Sequence, residues 1–217
     1  MNNVETRERL LDAAEHLFAE HGLEGPSLRS ITAAAGTNLA SVHYHFGSKD
    51  ALVRAVFARR LEPLNEERIR LLAAAEDTAE GGSPALEAIV EAFVAPTLRL
   101  IRDPAHGGKD FMCLMAQMHA ETSELRLAIV EEFDNLLRRF ADALSRTLPH
   151  LPRAEVFWRF AFMLGSMAFV LGHADTLKTK SNGLCDPSDV EGAIQRLVAF
   201  VSAGMRAPVP DVDGGKS

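Results

Sequence analysis

Apolar residues recur every three to four positions along most of this chain, which is the period of an α-helix, and no run alternates convincingly as a strand would. Leu10, Leu11, Ala14, Leu17 and Phe18 make a first helical stripe that Gly22 can end. Ser27, after Pro26, suits an N-cap for a second short helix with Leu28, Ile31 and Ala35 inward. Gly36 sits where a tight turn needs positive φ. Asn38 can cap a third helix that runs to about His45 and ends near Gly47. Ser48 opens a long fourth helix from Lys49 to about Glu76, bent near Pro63. After "EDTAEGGSP" come helices near 84–103 (kinked at Pro96), 110–120, 123–147, 153–177 and 187–205. The pattern predicts an all-α fold of about nine helices. Residues 1–50 form a three-helix head, 51–206 a larger helical body, and 207–217 a mobile tail.

Composition adds little that is unexpected. Of 217 residues, 47% are apolar and 24% charged, the balance of a soluble globular protein. Two cysteines, Cys113 and Cys185, and an N-terminus without a secretory pattern predict a cytoplasmic protein without a disulfide. The apolar run from Phe160 to Leu171 reads as too short for a bilayer, so no membrane partner is expected. Charge is more informative. The whole deficit of −7 lies beyond residue 60, because residues 1–60 carry seven basic and seven acidic side chains. Ser27 to Lys49 contains no acid, so that stretch could face phosphates without repulsion. No HExxH, nucleophile elbow, glycine-rich phosphate loop or CxxC is present, which argues against an enzyme, and no cofactor or metal is expected.

"TNLASVHYHFGSKDAL", residues 37–52, places His43, Tyr44 and His45 in a row on the third helix. At 100° per residue the two histidines point about 200° apart and cannot hold one ion. Val42 and Phe46 share the inner face, while Ala40, Ser41, His43 and Tyr44 lie outward. Two short helices across a glycine turn have helix-turn-helix form, and small residues beside flat polar rings suit a major groove. The periodicity alone fits this equally with an ordinary half-buried surface.

"LDAAEHLFAEHGLEGPSLRSITAAAGTNLASVHYHFGSKDAL" resembles the N-terminal domain of the TetR family of bacterial transcription repressors, above all in "AAEHLFAEHG", "SLRSITAAAG" and "HYHFGSKDAL". The resemblance implies an all-α homodimer that binds a palindromic double-stranded operator and leaves it when a small molecule enters the body. It implies that Arg29 reaches a base edge or phosphate and that Thr37 touches phosphate near the turn, beside Asn38. Leu39, Ala40, Ser41 and His43 would form the reading surface. Tyr44, His45 and Lys49 would grip the backbone. Relatives often carry tyrosine at the position of His43, so operator preference does not transfer.

The body concentrates soft and flat side chains. Phe93, Phe111, Met112, Met115, Met118, Phe133, Trp158 and Phe162 are the candidate lining of an effector cavity, although core packing explains any one of them. Ala161, Gly165, Ala168 and Gly172 form a strip of small residues on one helix. With Ile194, Leu197, Val198 and Val201 on the last helix they are the expected dimer interface. "FMCLMAQMHAE", "HLPRAEVFWRFAFMLGSMAFVL" and "SAGMRA" resemble PsrA-type regulators, which implies a long-chain fatty acid or acyl-CoA effector and control of lipid-metabolism genes. Arg99, Arg102 and Lys109 are possible partners for its acidic end. Two other readings stand beside this one: a repressor of an efflux system answering to aromatic or drug-like ligands, and a helical interaction module that binds no DNA.

Overall fold

The structure, a computed structural model, describes residues 3–101, 108, 110, 111, 113–115, 134–186 and 188–210. Among the described residues nine helices have both ends in place and there is no strand; residues 108, 110, 111 and 113–115 are helical as well. They are α1 Asn3–His21, α2 Leu28–Ala34, α3 Leu39–His45, α4 Lys49–Thr78, α5 Leu86–Ile101, α6 Asp134–Thr147, α7 Arg153–Gly172, α8 Ala174–Lys180 and α9 Val190–Arg206. Both α4 and α5 run on through Pro63 and Pro96. The helix expected over 153–177 is two, because His173 leaves helical geometry (φ −122, ψ 22) directly after Gly172, a poor helix former.

The chain divides into two compact units, residues 1–66 with 100–134, and 67–99 with 135–217. The expected boundary after residue 50 therefore falls inside α4, whose first half is core to the head: Leu52, Val53, Val56 and Phe57 are buried with Leu10, Leu11, Phe18, Ile31 and Val42. Beneath this apolar core, Glu15 of α1 is buried and ion-paired to Arg59 and Arg60 of α4, and Arg59 also reaches Asp12 at 2.7 Å.

The second unit is centred on Phe93, whose ring meets Phe140 and Phe160 edge-on at 5.0 and 4.9 Å. Arg68 of α4 is buried over the Phe93 face and donates to the Phe93 carbonyl and the Thr97 hydroxyl; burial pushes its pKa down to about 9. Arg159 of α7 caps the far end of α9, donating to the carbonyls of Gly204, Met205, Ala207 and Pro208. The first residues of the expected mobile tail are thus held in place, and 211–217 lie outside the described residues. By length and composition α7 is the one described helix able to cross a membrane, longer than the apolar run read from sequence, and 22% of its apolar window is buried within the chain.

Arginine pairs tie the helices of this unit together. Glu76 of α4 is held by Arg139 and Arg146 of α6, Glu87 of α5 by Arg206 of α9 (2.6 and 2.8 Å), and Glu191 of α9 by Arg99 of α5 (2.8 Å twice). Hydrogen bonds from these arginines hold the three carboxyls below the ordinary glutamate value of 4.5. A carboxyl with a lowered folded-state pKa stabilises the fold above its unfolded value and loses that contribution as pH falls through the folded one. The urea midpoint is therefore expected to be flat from about pH 7 to 5 and to fall below about pH 5. Glu76→Gln should flatten that acid limb; an unchanged limb would show that the Glu76 pairs contribute nothing.

Candidate nucleic-acid interface

The reading head is assembled by local rules. Ser27 caps α2, its hydroxyl accepting from the Ser30 amide at 3.1 Å. After Ala35 the chain turns through Gly36 at φ +60, and the Gly36 and Thr37 amides close on the carbonyls of Ala33 and Thr32. Gly36 is required by its backbone conformation. A Cβ there would sit in left-handed backbone and would meet the Arg9 guanidinium at 2.6 Å. Arg9 reaches across from α1 and donates to the carbonyls of Ala35 and Gly36, so the first helix grips the turn itself.

Asn38 caps α3. Its Oδ1 accepts from the Ser41 amide at 3.0 Å and from the Ser41 hydroxyl at 3.2 Å. Asn38 is the N-cap that the sequence predicted, and the Ser41 hydroxyl, expected on the reading surface, is engaged with that cap. Val42 is buried and Phe46 half-buried, with Arg7 over the Phe46 ring, which fixes the rotation of α3. Arg29, Leu39, Ala40, His43 and Tyr44 are exposed, and Tyr44 is 75% so. His45 is half-buried, edge-on to Tyr44. Thr37 is half-buried. Lys49 does not project freely: its Nζ donates to the Glu24 carbonyl at 2.8 Å. The contact missed in the sequence is His43 Nδ1 to the Gly47 carbonyl at 3.0 Å. Its signal was a histidine four residues before a glycine that ends the helix.

The described candidate effector residues fall in both units. Phe93 is at the centre of the 67–99/135–217 core, whereas Phe111 and Met115 pack with the head's cluster, in the other unit. Trp158 and Phe162 are 62% and 64% exposed, stacked on each other at 6.0 Å. The reason is helical phase: Val156, Phe160, Met163 and Met167 turn inward on α7, and Trp158 and Phe162 lie on the opposite face. Met112, Met118 and Phe133 lie outside the described residues, as do Arg102 and Lys109. Arg99 is occupied by Glu191.

The small-residue strip is on that same outward face. Ala161, Gly165, Ala168 and Gly172 are all exposed, beside Phe169. The last-helix half of the expected interface is different. Ile194, Leu197, Val198 and Val201 are buried in the core of their own unit, so the outward face of α9 is instead Ala199, Phe200, Ala203 and Gly204. An amphipathic stripe on a terminal helix has to close its own core before it can serve a partner.

Comparison with known proteins fits this architecture. Residues 10–56 match the family of bacterial regulatory proteins named tetR, and residues 91–204 match the tetracyclin repressor-like C-terminal domain. The nicotine-responsive transcriptional repressor HdnoR of Paenarthrobacter nicotinovorans is 29% identical over 117 residues, 49% of this chain and 60% of that protein. The transcriptional repressor KstR2 of Rhodococcus jostii is 36% identical over 100 residues, 46% of this chain and 45% of that protein. The chain thus spans less than two thirds of these curated relatives. Among solved structures, the fatty acid degradation regulator FadR from Bacillus halodurans superposes with a TM-score of 0.60 at 16% identity, over 92% of this chain and 99% of that one. The hemolysin II regulator HlyIIR gives 0.59 at 17%, over 93% and 99%. These two share the fold. With its capped helix-turn-helix matched at one end and more than half of its length matched to the companion C-terminal domain, the chain belongs to the TetR family, whose members are transcriptional regulators and not enzymes.

Proposed function

We propose that this protein is a homodimeric, cytoplasmic repressor that binds palindromic double-stranded DNA through α3 and releases it on binding a long-chain fatty acid or its CoA thioester, and so controls lipid-metabolism genes. The observation that carries the DNA part is the exposed arc Leu39, Ala40, His43 and Tyr44 on a helix whose phase is fixed from below by Val42. No acid lies between Ser27 and Lys49 to repel phosphate. Arg29, Thr37, Tyr44, His45 and Lys49 are the backbone contacts in this reading. Lys49 would have to exchange the Glu24 carbonyl for a phosphate oxygen, or present one of its remaining protons.

Dimerisation is supported by the exposed face of α7 and α9. Trp158, Phe162, Gly165, Phe169 and Phe200 form an apolar surface that a monomer in water would leave wet. A second copy is the occupant that suits a palindromic site, with one head per half-site. A bilayer is the competing occupant, and a dimer that stays in solution without detergent would exclude it.

The acyl effector is supported by the Phe93, Phe140 and Phe160 cluster with Arg68 buried against it, an apolar core with a positive charge inside. The FadR-type neighbour points the same way. An aromatic heterocycle is the second reading, favoured by the nicotine-responsive relative.

The test is a titration of acyl ligands of increasing length against a protein–operator complex selected from random duplexes. Each buried methylene contributes about 0.8 kcal/mol, so release should strengthen steeply with chain length until the cavity is full. Arg68→Met should weaken the free acid more than its methyl ester. Release by planar heterocycles, with acyl chains inert at every length, would move the effector to the second reading. Failure to select any duplex would remove the DNA function altogether.

A further inference from the structure

His43 stands on the exposed arc of α3, and its ring is not free to choose its polarity. Nδ1 lies 3.0 Å from the Gly47 carbonyl oxygen. A carbonyl oxygen only accepts, so Nδ1 carries the proton. In the neutral ring Nε2 is then bare, and it is an acceptor. The carbonyl is itself held. Gly47 adopts φ +80, a conformation other residues rarely take, and its amide closes on the carbonyls of Val42 and His43. The end of α3 therefore clamps the outward ring in one tautomer.

Arg29, on α2, only donates, and the other outward groups of α3 itself set no comparable polarity. Leu39 and Ala40 are apolar, and the Asn38 and Ser41 side chains are engaged in the N-cap. The Tyr44 hydroxyl rotates and can donate or accept. An acceptor fixed in the major groove meets a short list of donors. Only cytosine N4 and adenine N6 present hydrogens there; guanine offers O6 and N7, and thymine offers O4 and a methyl group.

We propose that His43, held by Gly47, reads an exocyclic amino group, cytosine N4 or adenine N6, at one base pair of each half-site and rejects a base that offers only acceptors there. This rests on α3 being the DNA-reading helix, as proposed above.

The experiment uses the full chain and the duplex selected from random sequence, at about pH 8. Cytosines are replaced one position at a time, symmetrically in both half-sites, by 2-pyrimidinone deoxyriboside, which lacks the N4 amino group. Adenines are replaced by purine deoxyriboside, which lacks N6. Affinity is measured for the parent and for His43→Ala. One position should lose about fivefold per half-site with the parent and almost nothing with His43→Ala, and guanine or thymine placed at that position should be rejected by the parent alone. The cytosine and adenine arms tell which base is read. Gly47→Ala, which strains the clamp, should blunt the same preference while His43 remains present. Equal losses for parent and His43→Ala at every position would overturn the assignment and leave DNA binding intact. So would a His43-dependent position that prefers guanine. If no duplex is enriched from the random pool, the DNA-binding reading fails and this inference with it.

Discussion

Gly165→Leu is expected to yield a folded chain that no longer pairs with its copy and binds a palindromic operator about 100-fold more weakly or worse. The structure makes this a clean test of the proposed dimer. A Cβ built at Gly165 meets nothing within 4 Å in the single chain, and the same is true at Gly172 and Gly204. A leucine therefore clashes with nothing in its own subunit. It also removes a glycine from mid-helix, which favours α7 by roughly 1 kcal/mol. Any loss of pairing must then come from the partner's side, where two symmetric leucines would hold apart helices that small residues let approach. Because the two heads act as linked binders, the loss of one half-site contact removes the avidity and leaves single-site affinity. Light scattering gives the mass, thermal unfolding the fold and titration of the operator the affinity. A dimer of normal affinity would move the interface away from α7.

The second large effect is in the head. Glu15→Ala is expected to destabilise the first unit by about 3–5 kcal/mol, the cost of breaking a buried ion pair by deleting one partner. Glu15 is 3% exposed and is the shared anion of Arg59 and Arg60. Without it Arg59 retains Asp12 and Glu8 at the rim, but both guanidiniums lose their shared buried partner. Whole domains are stable by only ~5–15 kcal/mol, so the loss is a large share. DNA binding should fall with the head's structure, whereas the oligomeric state should persist, since α7 and α9 belong to the other unit. Glu15→Gln keeps the volume and one acceptor and should cost less. Equal thermal stability of the alanine variant and the parent would show that the cluster is neutral.

Some features were legible because they depend on near neighbours only. The caps at Ser27 and Asn38, the positive φ of Gly36 and the inward phase of Val42 each follow from a few adjacent residues, and the structure has all four. The helix-turn-helix rests on these. Other features were not legible because they depend on which of several surfaces meets which. Phe93, Phe111 and Trp158 look alike in sequence, yet one is in the body's core, one in the head's core and one on the outside. Nothing local distinguishes them, since all three sit on apolar stripes.

The last two helices mark the limit clearly. Periodicity determined that α7 and α9 exist and that both carry apolar residues. It could not determine which face turns inward, because α7 is apolar nearly all round and a helix so made can be packed from either side. Only the tertiary structure decided it: Ile194, Leu197, Val198 and Val201 close against Val156, Phe160 and Met163, which leaves Trp158, Phe162, Gly165 and Phe200 outward. The same division applies within α3. The sequence determined that His43 faces out, from angle alone. The polarity of its ring was settled by a 3.0 Å contact to the Gly47 carbonyl, because a tautomer is fixed by the atom a nitrogen touches and not by the residue's place in the chain.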